Sequence, residues 1–175
     1  MAGLAELQGD HRRAGTLREE CLALCRERND TWGIAMTLLG FLREARQQGD
    51  TARQMTLLEE SLALFRARDD KHGIAGTLQA LGELTRNQGD YGRASALLEE
   101  SLAWFRTVGD RVTSTKVLHN LGETALLQGD DARAQALEEE SLARQRELVQ
   151  RGPNPDRVQI TSGQPLYVHW NGFAV

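Results

Sequence analysis

Cysteine and histidine are the side chains of this 175-residue chain that first suggest chemistry. Cys21 and Cys25 are four residues apart, which places both on one face of a helix. Such a pair could bind a metal ion or act as a redox couple, but no further cysteine or histidine partner lies nearby. The favoured interpretation is therefore two small core residues. Since the four histidines show no His-x-x-x-His spacing, we expect neither a metal site nor a cofactor.

Paired glutamates are the other candidates for chemistry, because two carboxylates can do acid–base work. The pairs lie at residues 59–60, 99–100 and 139–140, and an equivalent pair lies at 19–20. Catalysis rarely needs one pair four times, so a solvated helix face is the favoured interpretation. The chain also lacks a Gly-x-x-x-x-Gly-Lys phosphate loop and a Gly-x-Ser-x-Gly elbow. We expect no catalytic residues and a protein that is not an enzyme.

The overall charge and hydropathy exclude two further classes of partner. The net charge is −4, the pI is about 5.6, and arginine and glutamate are interspersed along the chain, which argues against a nucleic-acid ligand. No signal peptide and no apolar run of about 18 residues is present, so we expect no membrane association. The cysteine content fits a cytoplasmic protein. Because only Lys71 and Lys116 of the 21 basic residues are lysines, a GC-rich bacterial gene is indicated.

An internal repeat organises the chain. The triplet Gln-Gly-Asp occurs at residues 8–10, 48–50, 88–90 and 128–130, at intervals of 40 residues. A second block, Glu-Glu-Ser-Leu-Ala, occurs at 59–63, 99–103 and 139–143, and Glu-Glu-Cys-Leu-Ala occupies 19–23. Two independent blocks in fixed phase over four copies are very unlikely to arise by chance.

Each copy is predicted to form two helices. In the third copy Asp70 can cap a helix that extends to about Asn87. Gly89 then stands where a left-handed residue ends the helix, and Asp90 can cap the next helix, from about residue 91 to 107. Short links make the two helices of a copy antiparallel.

The apolar pattern predicts how the copies associate. Leu98, Leu102 and Phe105 follow the i, i+4, i+7 spacing of a helix with one buried face, which a single helix pair cannot cover. Stacked copies can cover it, so the predicted fold is an all-α solenoid of antiparallel helix pairs. About three full repeats follow a partial one. The predicted division is a helical repeat domain at 1–149 (1–29, about 30–69, 70–109 and 110–149) and a non-repeat tail at 150–175.

Several of these positions resemble the signature of the tetratricopeptide repeat family. They are Leu81-Gly82, Gly89-Asp90-Tyr91, Ala94 and Leu98 in the third copy, and Leu121-Gly122, Gly129-Asp130 and Ala134 in the fourth. The 40-residue unit is similar to the longer variant found in adaptor proteins and in sensor arms of bacterial regulators. The resemblance implies that Gly82 and Ala94 lie where paired helices cross closely. The second copy departs from this pattern at Leu42 and Gln54, so its helices are expected to lie further apart.

The resemblance also implies a concave groove lined by the first helix of each copy, suited to an extended or helical peptide. Position by position, the predicted peptide-binding residues are Met36, Leu39, Arg43, Arg46 and Gln47 in the second copy, Gln79, Glu83, Arg86 and Asn87 in the third, and Lys116, His119, Asn120, Glu123 and Leu127 in the fourth. The Lys/Asn clamp by which chaperone-binding relatives hold a carboxylate is not reproduced. Gln79 and Glu83 stand there instead, and a glutamate repels a carboxylate.

The two ends of the chain depart from the repeat. Met1 aligns with Phe41, so the first copy lacks the front half of its first helix, which is typical of a segment cut from a longer array. Residues 151–155 are predicted to end the last helix, and the stretch 165–173 of the tail is β-prone. The candidate docking residues of the tail are Leu166, Tyr167, Val168, Trp170 and Phe173. Two interpretations of this tail stay open: an unstructured or vector-derived extension, or an apolar peptide that docks on its own solenoid or on that of a neighbour.

Three functions are compatible with these features. The leading hypothesis is a scaffold-like protein-interaction module that binds a peptide or a partner helix in the groove. The first alternative is a fragment or sensor arm of a bacterial transcriptional regulator, in which the solenoid gates an ATPase or DNA-binding module. The second is a structural repeat protein that forms homo-oligomers through its terminal repeats or its tail.

Overall fold

The computed structural model describes residues 11–151, and the side chains of residues 13–150. This part of the chain forms seven α-helices with no strand: α1 (His11–Glu27), α2 (Thr31–Gln47), α3 (Thr51–Ala67), α4 (Lys71–Asn87), α5 (Tyr91–Thr107), α6 (Arg111–Leu127) and α7 (Asp131–Arg151). Each helix packs on the next, and short links make neighbours antiparallel. The all-α solenoid and both predicted helices of the third copy are confirmed. None of the described helices is long and apolar enough to cross a membrane.

Aspartate residues cap helices α2 to α7 at regular intervals, as predicted. Asp70 Oδ1 accepts a hydrogen bond from the Gly73 backbone N–H at 2.9 Å, and Asp90 Oδ1 accepts one from the Arg93 N–H at 3.1 Å. Gly89, which precedes Asp90, has a left-handed φ of 87°. The chain therefore turns within a few residues at each link, and this holds successive helices side by side.

Paired helices cross closely where the sequence carries small residues. A Cβ atom placed on Gly82 would lie 2.7 Å from Leu98 Cγ and 3.3 Å from the carbonyl oxygen of Ala94. A glycine is therefore required at this crossing, as predicted. In the second copy Leu42 and Gln54 are both buried, and Gln54 Nε2 donates a 3.5 Å hydrogen bond to the carbonyl oxygen of Ala45. The wider spacing expected for that pair stays a prediction.

The core lies between copies as much as within them. Leu98, Leu102 and Phe105 of α5 are buried, and they form one cluster with Val117 and Leu118 of α6. The second helix of one copy thus covers the first helix of the next. Full burial of such a side chain is worth roughly 1.5–3 kcal/mol. Because much of this burial lies between copies, the array folds only when its copies are stacked.

A buried serine joins the two helices of each complete copy. The hydroxyls of Ser61, Ser101 and Ser141 donate to carbonyl oxygens of Ala35, Ala75 and Thr115 at 3.4, 2.8 and 3.2 Å. Cys21 occupies the same register in α1 but is exposed, so its interpretation as a core residue is wrong. In the complete copies the acceptor lies 26 residues earlier, on the first helix of the same copy, and the described residues include no such helix for α1. Cys25 is half-buried.

Candidate functional site

An open cavity of about 630 Å³ lies among α4, α6 and α7. Five of the predicted groove residues line it: Gln79, Glu83, Lys116, His119 and Asn120. The residues that sequence reasoning missed are Val112, Thr115, Glu138, Ser141, Leu142, Gln145 and Leu148, most of them on α7. Their signal was weak, because the resemblance implied a groove lined by the first helix of each copy. The cavity therefore combines predicted polar groups with an unpredicted, partly apolar wall.

Glu83 links the two first helices that meet at the cavity. Its Oε1 accepts hydrogen bonds from Gln79 Nε2 at 2.9 Å and from Asn120 Nδ2 at 2.8 Å. The first contact lies within α4, and the second joins α4 to α6. The Glu83 carboxylate is thereby held in one position by a contact on each of the two helices.

Arg86 and His119 extend this network along the groove. Arg86 Nη1 lies 2.5 Å from Glu123 Oε2 and 3.4 Å from the carbonyl oxygen of Asn120, and its side chain is only 17% exposed. His119 Nδ1 lies 2.8 Å from Glu138 Oε1, and its Nε2 lies 3.7 Å from Glu123 Oε1. Arg86 is therefore already paired with Glu123, and His119 already contacts two carboxylates, before any ligand binds.

Lys116 differs from its neighbours at the cavity. Its side chain is exposed and makes no hydrogen bond or ion pair within the described part of the chain. Val112, Leu142 and Leu148 line the same cavity, and the first two are exposed to 41% and 50%. An ammonium group beside an apolar wall is suited to a ligand that presents a carboxylate next to an apolar side chain.

The remaining predicted groove residues lie away from this cavity. Met36 is 44% exposed, Leu127 is 53% exposed, and Leu39 is partly buried against the core. Arg43, Arg46, Gln47 and Asn87 are exposed on the first helices of their copies. Their positions in the repeat match those of the cavity residues, but they do not line the cavity.

Arginines and glutamates form a ladder across the second helices, which sequence reasoning missed. Arg66 Nη2 donates to Glu100 Oε1 at 2.8 Å, and Arg106 Nη2 donates to Glu140 Oε1 at 2.9 Å. In the opposite direction Arg93 pairs with Glu59, and Arg133 pairs with Glu99. We call these four pairs the Arg–Glu ladder. The two residues of each pair are 34 positions apart and belong to adjacent copies. The sequence therefore did carry a signal for the ladder, because an arginine in one copy is matched by a glutamate in the adjacent copy.

The cysteine pair shows no feature of a reactive or metal-binding site. Partial burial, together with the neighbouring Cys21 and Asp30, raises the pKa of the Cys25 thiol above its ordinary value, although Thr37 opposes the shift. A raised pKa leaves less nucleophilic thiolate at neutral pH. Within residues 11–151, no three cysteine, histidine or acidic side chains are grouped so that they could hold a metal ion. The predicted docking tail at 166–173 lies outside the described residues.

Residues 73–147 match the family model of the tetratricopeptide repeat. Over this range the chain is similar to tetratricopeptide repeats, and the structural likeness of the helical repeats agrees with it. Tetratricopeptide repeats generally mediate protein–protein interactions and are typically non-enzymatic scaffolds. The matched range contains most of the third and fourth copies, and hence most of α4, α6 and α7, which line the cavity.

One solved structure shares the fold over most of this chain. The crystal structure of BtubC (BKLC) from P. vanneervenii superposes with a TM-score of 0.76 at 22% sequence identity. The match covers 94% of this chain and 66% of that one, so the chain spans slightly less than two thirds of the relative's length. At this identity the likeness concerns the fold alone. No curated protein gives a significant match.

Proposed function

We propose that this chain is a protein-interaction module that holds a peptide or partner helix along α2, α4 and α6. The cavity among α4, α6 and α7 is the centre of the site. The observation that carries the proposal is Lys116, an exposed cation without a partner among the described residues, set beside the apolar side chains of Val112 and Leu142. The family's general role in protein binding supports the same function.

The chemistry of the cavity favours a particular kind of peptide. A glutamate or aspartate of the ligand would pair with Lys116, and a leucine-sized neighbour would cover Val112 and Leu142. Gln79 and Gln145 supply amides for hydrogen bonds to the ligand backbone. Because the Glu83 and Arg86 contacts already exist, little side-chain ordering remains to be done when the ligand binds.

The paired state of Arg86 changes which cations are expected to matter. Arg86 already faces Glu123, so Lys116 replaces it as the central positive charge of the proposal. Arg43 and Arg46 lie further along the strip, and they are expected to contribute weaker, salt-dependent attraction to an acidic ligand.

Two synthetic peptides of equal length, one alternating glutamate with leucine and one alternating lysine with leucine, test this function. Fluorescence anisotropy should show binding of the acidic peptide and little binding of the basic one. Lys116→Glu should weaken the acidic peptide by at least about tenfold, or ~1.4 kcal/mol. Charge reversal of Arg43 and Arg46 should have a smaller effect.

Lys71→Glu is the matched control, because Lys71 is exposed at the start of α4, outside the cavity, and undergoes the same change of charge. Equal binding of the acidic peptide by the Lys116→Glu and Lys71→Glu variants would place the site elsewhere. Equal binding of both peptides by the unmodified chain would contradict the proposed preference.

A further inference from the structure

Most glycines in the described part of the chain have a structural reason. Those at positions 49, 89, 109 and 129 adopt a left-handed φ at the links between helices. Those at positions 33, 40, 73, 82 and 122 stand where an added Cβ atom would crowd a neighbouring side chain. Gly76 belongs to neither group. Its φ is not left-handed, and an added Cβ atom would point into open space, with no neighbouring atom within 4 Å outside its own stretch of helix.

The repeat does not require a glycine at the position of Gly76. The residue is exposed and lies inside α4 rather than at one of its ends. The same register is occupied by Met36 in α2 and by Lys116 in α6, and both of those side chains are exposed. A glycine inside a helix is destabilising relative to alanine, because it loses more conformational freedom on folding. Gly76 therefore weakens α4 without a benefit to packing, which points to a benefit in the binding of a ligand.

Two other described glycines, Gly15 and Gly92, are also uncrowded, but they lie elsewhere in the fold. Both belong to second helices, α1 and α5, whereas Gly76 lies on a first helix. Gly92 is in the first turn of α5, and alanine occupies its register at Ala52 and Ala132, so a small residue is usual there. Gly76 is thus distinguished by its place on the proposed binding strip.

Gly76 lies beside the cavity among α4, α6 and α7. It stands one turn before Gln79, which lines the cavity together with Lys116 of α6, and α4 packs directly on α6. His72 stands one turn before Gly76, and its side chain is 71% exposed. The exposed face of α4 is therefore notched at Gly76, between the side chains of His72 and Gln79. Described helix pairs lie on both sides of α4, so the notch belongs to the middle of the array.

We propose that the backbone of an extended peptide passes over Gly76 on its way to Lys116, and that Gly76 determines which ligands fit the groove. This inference rests on the proposed function and narrows its ligand from a peptide or a helix to an extended peptide. Because a glycine carries no Cβ atom, another backbone can approach it closely. A helix with its side chains is about 10–12 Å wide, so a notch the size of one side chain cannot admit it.

Gln79 and Lys116 are placed to hold such a peptide in register. Gln79 Nε2 donates to Glu83, whereas Gln79 Oε1 accepts no hydrogen bond among the described residues and can accept one from a backbone N–H of the ligand. Alternate side chains of an extended peptide point to opposite faces, so an acidic residue can face Lys116 while the backbone stays close to α4. The ligand class is therefore an extended peptide with an acidic residue next to the stretch that covers Gly76.

Substitutions at Gly76 test this contact, with the alternating glutamate–leucine peptide as the probe. Gly76→Leu should weaken binding, measured by fluorescence anisotropy, by about tenfold or more, because the new side chain fills the space of the peptide backbone. Gly76→Ala should weaken binding by a smaller factor and raise the melting temperature of the chain, since alanine favours the helix. A residue with a purely structural role would not combine higher stability with lower affinity.

Gly92→Ala and Gly92→Leu are the matched controls, because Gly92 is exposed, helical and uncrowded but lies outside the cavity. Both should leave the affinity unchanged. A second peptide of the same composition, with its leucines three and four residues apart, favours a helix over an extended chain. It should bind the unmodified chain more weakly than the alternating peptide does. Because Gly76→Ala is expected to fold better than the unmodified chain, the test does not depend on the bulkier variant.

Two results would overturn this inference. The first is an affinity for the alternating peptide that neither Gly76 variant changes, and the second is tighter binding of the helix-forming peptide. If Lys116→Glu still weakened binding in either case, the proposed function would stand, and only the path of an extended peptide over Gly76 would be wrong. If the unmodified chain bound neither peptide, the proposed function would fail, and this inference would fail with it.

Discussion

Successive second helices, α1, α3, α5 and α7, carry the same charged residues at the same register. Ion pairs join α3 to α5 and α5 to α7, whereas the equivalent residues of α1 and α3, which form the first junction, do not pair. At the later junctions Arg66 reaches Glu100, and Arg106 reaches Glu140, at 2.8 and 2.9 Å. At the first junction Arg26 and Glu60 occupy equivalent positions, and both are exposed without an ion pair between them in the described part of the chain. Matching charges are therefore necessary for the ladder but not sufficient.

Packing beneath the charges explains the difference. Phe65 and Phe105 are each 1% exposed at the later junctions, whereas Cys25 stands in their register in α1 and is only half-buried. At the first junction the Arg53 guanidinium instead lies 6.0 Å from the ring centroid of Phe41. Apolar burial brings the later helices into register, and the ion pairs then form at distances that the core has already determined.

The largest expected effect comes from removing the aromatic side chain that separates the two kinds of junction. Phe105→Ala should lower the free energy of unfolding by about 3–5 kcal/mol, because it removes a buried ring and leaves a cavity. Cys25→Ala, in the same register, should lower it by less than about 1 kcal/mol, since its side chain is small and partly solvated. Urea denaturation followed by circular dichroism measures both. Equal losses would show that the junctions are packed alike.

A smaller effect is expected from the ladder itself. A double-mutant cycle on Arg66→Ala and Glu100→Ala should give a coupling energy of about 0.2–1 kcal/mol, as for other exposed pairs, and it should shrink in high salt. The same cycle on Arg26 and Glu60 should give a coupling near zero. Arg66 and Glu100 are preferable to Arg106 and Glu140 for this test, because Glu140 also accepts a hydrogen bond from Arg144. A significant coupling at the first junction would remove the contrast.

The smallest effect is expected from acid titration at the link before α6. Although partial burial opposes it, hydrogen bonds from Thr113 and His72 lower the pKa of Asp110 below its ordinary value of 3.8. Since the folded-state pKa is the lower one, this stabilisation is complete above about pH 3.8 and is lost as the pH falls through the folded-state value.

Carboxyl NMR titration of His72→Ala measures this contribution, and the pKa of Asp110 should move back towards its ordinary value. The preceding copy offers a comparison, because Trp32 stands in the register of His72 and cannot make the same contact with Asp70. An unchanged Asp110 titration in His72→Ala would show that Thr113 alone sets the pKa.

Sequence reasoning succeeded where the signal is local and periodic. The bounds of α4 and α5, the cap at Asp90, the left-handed Gly89 and the close crossing at Gly82 follow from residue types within a few positions of each feature. It failed at Cys21, because burial at that register requires the first helix of the same copy, and the described residues include none for α1. It also missed the apolar wall at Leu142, which depends on how α7 lies against α6.

The sequence by itself determined the helices, their links and their order of stacking, because caps, glycines and apolar spacing act over a few residues and repeat every 40. Only the tertiary structure decided which charged side chains meet. Glu83 with Asn120, Arg86 with Glu123 and the four pairs of the Arg–Glu ladder join residues 34 to 37 positions apart. Contacts of that span depend on the angle and translation between neighbouring copies, and the packed core sets both. The same packing leaves Lys116 without a partner in the described chain, although its sequence context is that of an ordinary exposed lysine.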